Sequence, residues 1–310
     1  MFVVSGEALF DVFAGEPSAS GLALEGRIGG SPFNVAVGLA RLGQPAAFFG
    51  ALSRDVFGNR LLAKLVEEKV HTESVRRTNA PTTLSIVGLD ERGVPSYTFH
   101  GEHGADRDLP ASSLAAIPAQ ARVFHFGSYS MLVEPAASTL RELVESQHKR
   151  RLVAYDPNVR LNVEPSLDRW REILSWMAAR THVLKVSEED LGLLYPGSAV
   201  DALASAWLKD GVALVVVTRG GEGAIAWTAK HRVSRAGLKI DVVDTVGAGD
   251  SFHAALLTWL AEHDRIDPAA PASLAESDLA SMLDFASFAA AITCSRQGAQ
   301  LPRRSELNGA

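Results

Sequence analysis

Short apolar runs alternate with helical patterns along most of the chain, and this alternation limits the fold more than any other feature of the sequence. Strand-like runs that read as buried on both faces lie at residues 1–4, 122–127, 151–156, 181–186 and 212–218. Helical patterns lie between them, at residues 34–42, 135–148 and 201–209. Repeated strand, helix, strand units indicate a mostly parallel sheet with helices on both faces. We therefore predict a three-layer α/β/α fold in one domain, residues 1–310.

Residues 81–101 interrupt this alternation. They contain two strand-like runs joined by the sequence Asp-Glu-Arg-Gly, which is typical of a β-hairpin. Residues 11–28 also lack helical periodicity, so the two stretches are predicted to form a small separate sheet. Segments 11–30 and 82–104 would then contribute a β-lid that keeps water away from a reactive phosphate. A simple extension of the main sheet is the alternative.

The sequence DTVGAGDSFHAALLTWL, residues 244–260, places small residues and an aspartate directly ahead of a regular helix. The helix is predicted from apolar spacing that gives one buried face: Phe252, Ala255, Leu256, Trp259 and Leu260. Free N–H groups and the helix dipole favour anions at such an N-terminus, and Gly247, Ala248 and Gly249 leave those groups accessible. Asp250 would repel an anion there, unless its task is to accept a proton from the group that attacks the anion. The alternative is that Asp250 is a helix N-cap in an ordinary tight turn.

Composition disfavours several classes of protein. A net charge of −6 disfavours nucleic acid as a partner, because binding a polyanion needs a basic face. The single cysteine, Cys294, can form no internal disulfide and cannot anchor a cysteine zinc site, which suits a reducing cytoplasm. The sequence shows no signal peptide and no apolar run long enough to span a bilayer. We therefore expect a cytoplasmic protein that binds neither nucleic acid nor membrane.

The common phosphate motifs do not explain the helix that follows residue 247. A P-loop requires a lysine after its glycines, and none is present here. A dinucleotide fingerprint requires a third glycine where Phe252 stands, and it belongs after the first strand of the fold. A nicotinamide-dependent dehydrogenase is therefore a distant alternative.

Two separated motifs resemble instead those of the ribokinase-like, or carbohydrate kinase B, family. DTVGAGDSFHAALL is similar to the family's C-terminal signature, and GGSPFNVAVGLARLG, residues 29–43, is similar to its N-terminal signature. Further landmarks follow in the family's order: GEALFDVF, DPNVR, KVSEED, TRGGEG and CSRQGA. Ser53 and Lys185 depart from the usual glycine and asparagine, and residues 99–107 match the fructokinase pattern only in part.

The resemblance implies that Asp250 is a general base, which takes the proton of a sugar hydroxyl as that hydroxyl attacks the γ-phosphate of ATP. The N–H groups of residues 247–250 would form an anion hole for the transferring phosphoryl group. A bulky side chain at Gly247 or Gly249 should then block the phosphate before it harms folding. The resemblance also implies a sugar-binding set: Asp11, Gly29, Gly30 and Asn34. Arg160 is a further candidate, because its charge suits a partner on the substrate or on phosphate. Structural alternatives are a strained turn for the glycines, a helix N-cap for the asparagine and a surface salt bridge for the arginine.

For the nucleotide, the resemblance implies a set of contacts to ATP and its magnesium: Lys185, Glu188, Thr218, Gly220, Gly223 and Ser287. Glu188 would lie near Mg²⁺, which arrives with ATP and keeps several of its waters. Many relatives also use a monovalent cation such as K⁺ near residues 244–250 and Gly298. Lids of this type often pair between subunits, which makes a homodimer an expectation from the resemblance alone.

Together with these residues, the resemblance implies an ATP-dependent carbohydrate kinase of the fructokinase type, which would phosphorylate fructose at a primary hydroxyl to give fructose 6-phosphate. Ribokinase and 2-keto-3-deoxygluconate kinase are alternatives within the class. The last has an acidic substrate, for which only Arg160 is an obvious partner. A non-catalytic sugar or nucleotide sensor on the same fold is the alternative from another class. A sensor, however, needs no base at Asp250.

Overall fold

The computed structural model describes residues 1–89 and 95–307 of the chain. The strands are β1 (Phe2–Ser5), β2 (Leu9–Ser18), β3 (Gly21–Gly29), β4 (Ala46–Ser53), β5 (Val75–Thr78), β6 (Leu84–Leu89), β7 (Pro95–His100), β8 (Val123–Gly127), β9 (Leu152–Asp156), β10 (Val183–Ser187), β11 (Leu214–Thr218), β12 (Ala224–Trp227) and β13 (Arg232–Arg235). The α-helices are α1 (Ser31–Arg41), α2 (Val56–Glu67), α3 (Ala136–Gln147), α4 (Leu167–Ala178), α5 (Glu188–Leu194), α6 (Val200–Asp210), α7 (Ala248–Glu262) and α8 (Glu276–Cys294). None of the helices in these residues is long and apolar enough to cross a membrane.

The central sheet has the strand order β13-β12-β11-β10-β9-β8-β1-β4-β5. Every pair from β11 to β5 is parallel, and β12 and β13 extend the sheet with antiparallel pairing. The five strand-like runs of the sequence correspond to β1, β8, β9, β10 and β11. Because parallel strands all end at the same edge, the loops after these five strands converge on one side of the molecule.

Helices cover both faces of the central sheet. In β1, Phe2 and Val4 point into one core and Val3 into the other, and none of the three is more than 2% exposed. The first core is closed by α1, α2, α7 and α8, and the second by α3, α4, α5 and α6. The predicted three-layer α/β/α architecture is confirmed.

Strands β2, β3, β6 and β7 form a separate four-stranded sheet in the order β3-β2-β6-β7. Strand β2 is antiparallel to β3 and parallel to β6, and β6 is antiparallel to β7. The small separate sheet predicted from the sequence is therefore present, and it is not an extension of the central sheet. The predicted Asp-Glu-Arg-Gly turn lies outside the described residues. The role of the small sheet as a lid remains a prediction.

Helix α7 is buried on more than the single face predicted from its apolar spacing. Every residue from Ser251 to Leu260 is buried, because the helix packs between α1 and α8. Small or polar side chains such as Ala254 and Thr258 cover the faces that the apolar residues leave open. The N-terminus of a helix buried in this way is held firmly in place.

Candidate active site

A cavity of about 1080 Å³ lies where the parallel strands end. The small sheet, the loops after β1, β8, β9, β10 and β11, and the first turns of α1 and α7 contribute to its wall. Most of the residues predicted from the sequence line it: Asp11, Gly29, Gly30, Asn34, Arg160, Lys185, Glu188, Thr218, Gly220, Gly247, Gly249 and Asp250. Within residues 1–89 and 95–307, three predicted residues do not line this cavity: Gly223, Ala248 and Ser287.

Helix α7 begins at Ala248, and Gly247 is its N-cap. Asp250 therefore lies inside the first turn, and its interpretation as an N-cap is wrong. Gly247 has φ 78°, a left-handed conformation that favours glycine. A Cβ atom at this position would lie 2.7 Å from the Cβ atom of Ala299. Gly247 is thus required for the turn that directs the helix N-terminus into the cavity.

The N–H groups at this N-terminus are available in part. Those of Gly249 and Asp250 have no partner within the helix. The N–H of Ala248 donates to the carbonyl of Thr245, with an N···O distance of 3.2 Å. The expected anion hole used the N–H groups of all four residues 247–250. The structure differs from this expectation, because the N–H of Ala248 is bonded within the turn and does not face the cavity.

The carboxylate of Asp250 is held by helix α1. The hydroxyl of Ser31 donates to Oδ1 (2.6 Å), and the side-chain amide of Asn34 donates to Oδ2 (2.8 Å). Burial raises the pKa of Asp250 above its usual value, while these two hydrogen bonds and the nearby Lys185 oppose the shift. A carboxylate that is fixed in position, borders a cavity and has a raised pKa is well suited to accept a proton.

Asn34 was predicted to bind the sugar or to cap a helix, and the structure gives its amide a different partner. Helix α1 begins at Ser31, ahead of the predicted start at Asn34, and Gly30 is its N-cap. The N-cap interpretation of Asn34 is therefore wrong. Ser31 and Asn34 are three residues apart and lie on one face of the first turn, so both reach the same carboxylate.

A buried ion pair lies beside the N-terminus of α7. The ammonium of Lys185 donates to Oδ2 of Asp156 at 2.7 Å, and the two side chains are 5% and 3% exposed. Burial alone would lower the pKa of Lys185, but Asp156, Asp190 and Asp250 outweigh it and raise the pKa, so the lysine stays charged. A Cβ atom on Gly249 would lie 3.2 Å from the lysine Nζ. The positive charge is therefore close to the free N–H groups.

Asp190 and Glu188 lie on the same turn of α5 but in different surroundings. The side chain of Asp190 is buried, and its Oδ1 accepts the N–H of Val159 (3.1 Å). Burial raises the pKa of Asp190 to about 6, and the negative charge of Asp156 adds to the shift. Glu188, the predicted metal-side residue, is exposed at the cavity edge.

The small sheet supplies one end of the cavity. A Cβ atom on Gly29 would collide with the carboxylate of Asp11, so this carboxylate lies directly against the glycine backbone. Burial raises the pKa of Asp11, while hydrogen bonding to Ser85 and the charge of Arg160 oppose the shift. Arg160 itself is exposed and donates to the carbonyl of Val159 (2.9 Å). Asp11, Gly29 and Arg160 are thus brought together as the sequence predicted.

The loop after β11 forms a further part of the cavity wall. Thr218 and Gly220 line it. Gly223 lies deeper, where a Cβ atom would collide with the carbonyl of Arg235, so packing against that strand explains this glycine. Ser287 is partly buried on α8.

Known proteins resemble this chain over nearly its whole length. The model of the pfkB family carbohydrate kinases matches residues 2–306. The chain belongs to the pfkB family. A fructokinase of Rhizobium leguminosarum bv. trifolii is 33% identical over 279 residues, which is 90% of this chain and 85% of that protein. Fructokinase-2 of Zea mays is 34% identical over 310 residues, with 96% and 90% covered.

Solved structures agree with the pfkB assignment. A fructokinase from Xylella fastidiosa with bound ATP has a TM-score of 0.88 at 29% identity, with 99% of this chain and 96% of that chain covered. A fructokinase from Vibrio cholerae with bound fructose, ADP and calcium has a TM-score of 0.82 at 26% identity, with 99% and 97% covered. The assignment as an ATP-dependent carbohydrate kinase is confirmed.

Three residues that the structure brings close to Asp250 or Lys185 were not singled out by reasoning from the sequence: Ser31, Asp156 and Asp190. Each had a signal. Ser31 follows the glycine pair directly, and Asp156 ends a buried strand in DPNVR. Asp190 lies three residues after Ser187, whose hydroxyl accepts its N–H as the cap of α5.

Proposed function

We propose that this pfkB kinase transfers the γ-phosphoryl group of ATP to a primary hydroxyl of fructose and forms fructose 6-phosphate. The observation that carries the proposal is the position of Asp250, whose carboxylate is fixed by Ser31 and Asn34 in the first turn of α7 and borders the cavity. Relatives named fructokinase and the Vibrio cholerae structure with fructose and ADP support fructose as the substrate.

In the proposed reaction Asp250 takes the proton of the sugar hydroxyl. The oxygen forms a bond to the γ-phosphorus as the bond to the leaving ADP oxygen breaks, so ADP leaves with the bonding electrons. The raised pKa of Asp250 suits a group that must hold this proton late in the step. The N–H groups of Gly249 and Asp250, together with the Lys185 ammonium, would stabilise the charge on the transferring group.

Magnesium would enter the site with the nucleotide. Oδ1 of Asp156 is buried and has no hydrogen-bond partner in the part of the chain that the structure describes, so a cation or its bound water would satisfy it. Asp156 and Asp190 are therefore the residues that would hold Mg²⁺, and the exposed Glu188 would act only through water. Bound magnesium neutralises phosphate charge. The described residues contain no group of three or more side chains suited to metal binding, so water and phosphate would complete the coordination.

The sugar would bind at the small-sheet end. The carboxylate of Asp11 accepts hydrogen bonds from hydroxyls, and Arg160 donates them. The backbone at Gly29 and Gly30 allows the ring to approach closely. Asn34 would act on the sugar through Asp250, because its amide is already bonded to that carboxylate. The monovalent cation and the homodimer remain predictions, although Gly298 is joined to the loop ahead of α7 by an N–H···O bond to Asp244 (2.8 Å).

The proposal is tested by measuring ADP release from MgATP with fructose, ribose, 2-keto-3-deoxygluconate, glucose and adenosine. We expect fructose to give the highest kcat/KM. A higher kcat/KM for ribose or 2-keto-3-deoxygluconate would support the proposed phosphoryl transfer but would show that fructose is not the preferred substrate. Calorimetric binding of a sugar with no ADP release from any compound would identify a sensor and overturn the proposal.

A further inference from the structure

Glu7 is a buried carboxylic acid that the proposed mechanism does not use. It follows β1 and borders the cavity, although the residue is only 2% exposed. The hydroxyl of Ser130 donates to its Oε2, and Ser128 also hydrogen bonds to the carboxyl group. Both serines belong to the loop after β8, and Ser128 lines the cavity as well.

No ion pair compensates this buried acid in the described residues. Burial raises the pKa of Glu7 to about 7, and the neighbouring carboxylate of Asp106 contributes to the shift. Asp106 is buried too and accepts hydrogen bonds from Thr83 and from Tyr129 (3.0 Å). Burying two acids side by side costs stability. Such costs are concentrated at functional sites, and here one of the two acids reaches the cavity wall.

The location of Glu7 relates it to the sugar end of the cavity. A Cβ atom on Gly30 would lie 2.7 Å from the backbone carbonyl oxygen of Glu7, so the backbone of Glu7 packs directly against Gly30. Burial raises the pKa of Tyr129, and the nearby charges of Asp106 and Glu7 raise it further. The ring of Tyr129 contacts that of Phe99, with centroids 5.5 Å apart, and both side chains line the cavity. Glu7 is thus a polar group in a wall that is partly aromatic.

We propose that Glu7 is a sugar-binding residue, whose carboxyl group hydrogen bonds one hydroxyl of the substrate and helps to set which sugar is accepted. This inference rests on the proposed function. A carboxyl group offers about four lone-pair sites, so the bonds from Ser130 and Ser128 leave capacity for a hydroxyl. A pKa near neutrality also allows the group to donate as well as to accept. A site built to bond a hydroxyl discriminates strongly against the analogue that lacks it.

The test compares wild type, Glu7→Met and Glu7→Gln on fructose and on analogues that each lack or invert one hydroxyl. Hydrogen bonds to charged groups contribute enough that Glu7→Met should lower kcat/KM for fructose about 10- to 100-fold. For the analogue that lacks the bonded hydroxyl, wild type and Glu7→Met should agree within about threefold, since that bond is already absent. Glu7→Gln keeps the shape and some hydrogen bonding, so it should recover part of the loss.

Asp106→Asn is the matched control, because Asp106 is buried in the same network and does not line the cavity within the described chain. It should change all sugars by one common factor. A loss in Glu7→Met that is equal for every analogue, or no loss, would overturn the inference while leaving the kinase assignment intact. If Glu7→Met does not fold, the same comparison is made with Glu7→Gln, where an unchanged pattern of discrimination has the same meaning. Absence of turnover by wild type would overturn the proposed function as well.

Discussion

The sequence around Asp250 predicts its position at a helix N-terminus but not the residues that bind its carboxylate. The small residues before α7 predicted that this carboxylate lies at an anion-binding helix end. Its hydrogen-bond donors, Ser31 and Asn34, lie 219 and 216 residues earlier in the chain. Only the packing of α1 against α7 brings them together, and a single sequence contains no pattern that fixes that contact. Asn34 was therefore assigned to the sugar, although its side-chain amide donates to the carboxylate of Asp250.

The hydrogen bond from Ser31 should set the pH range of activity. It stabilises the charged form of Asp250 and so opposes the rise in pKa caused by burial. Ser31→Ala removes the bond, which raises the pKa of Asp250 further. The acid limb of the kcat/KM profile should then move to higher pH, with activity reduced several-fold on that limb and little changed above it.

This shift is checked by pH profiles of kcat/KM for wild type and Ser31→Ala. Ser166→Ala is a suitable control, because Ser166 also lies at a helix N-terminus but caps Arg169 on α4 instead of bonding Asp250. Its acid limb should coincide with that of wild type. An acid limb that stays in place in Ser31→Ala would show that Asp250 does not control it.

The first turn of α7 contains two glycines, one that the fold requires and one that we expect to serve phosphate binding. From the sequence, side chains at Gly247 and Gly249 were both expected to block phosphate before they harmed folding. The structure corrects this expectation for Gly247, whose left-handed backbone and contact with Ala299 require glycine. A turn of this kind depends on backbone angles that apolar periodicity does not reveal.

Gly247→Ala and Gly249→Ala should therefore behave differently. A left-handed conformation costs a non-glycine residue roughly 1–2 kcal/mol, so Gly247→Ala should lower the free energy of unfolding and activity together. Alanine is favoured over glycine inside a helix by about 1 kcal/mol, so Gly249→Ala should fold at least as well as wild type. Its methyl group would lie 3.2 Å from the Nζ of Lys185, where phosphate is expected, and kcat/KM should fall about tenfold or more.

Urea unfolding and steady-state kinetics on the same two variants check this pair of outcomes. Full activity in Gly249→Ala would mean that no phosphate passes between Gly249 and Lys185. Equal losses of stability in both variants would mean that the glycines serve the turn alone.

The strands illustrate the opposite case, in which sequence is sufficient. Runs such as residues 212–218 are apolar throughout because a parallel strand is covered on both faces, and β11 is indeed buried from Leu214 to Val217. Apolar patterns could not predict that Asp190 is buried while Glu188 is exposed. Both carboxylates follow the same strand, and only the rotation of α5 against the sheet decides which of them faces inward.

At the scale of the whole molecule, the two sheets of the described residues contribute to the wall of the same cavity. Strands β2 and β6 of the small sheet contribute Asp11, Phe13, Ser85 and Val87 to its wall, while the central sheet and α7 contribute the part of the wall that contains Lys185 and Asp250. A sugar bound between them would contact both sheets. This arrangement is the physical basis of the proposed lid.

Ligand binding should therefore protect the small sheet selectively. With fructose and a non-hydrolysable ATP analogue, amide hydrogen exchange in β2, β3 and β6 should slow, because opening these strands then requires loss of the ligand. Exchange in β8 and β9 should hardly change, since these strands are already buried in the core. Mass spectrometry of peptides with and without ligand measures both. Equal protection of the two sheets, or none in the small sheet, would count against a lid.

The central claim, that Asp250 is the base of a sugar kinase, is tested most directly by kcat for fructose in Asp250→Asn beside wild type. Asparagine has nearly the same shape and removes a charge that burial disfavours, so the variant should unfold at the same urea concentration or higher. General-base catalysis contributes about 10²–10⁴-fold, so kcat should fall at least a hundredfold. A folded Asp250→Asn variant that keeps kcat within about tenfold of wild type would contradict the account.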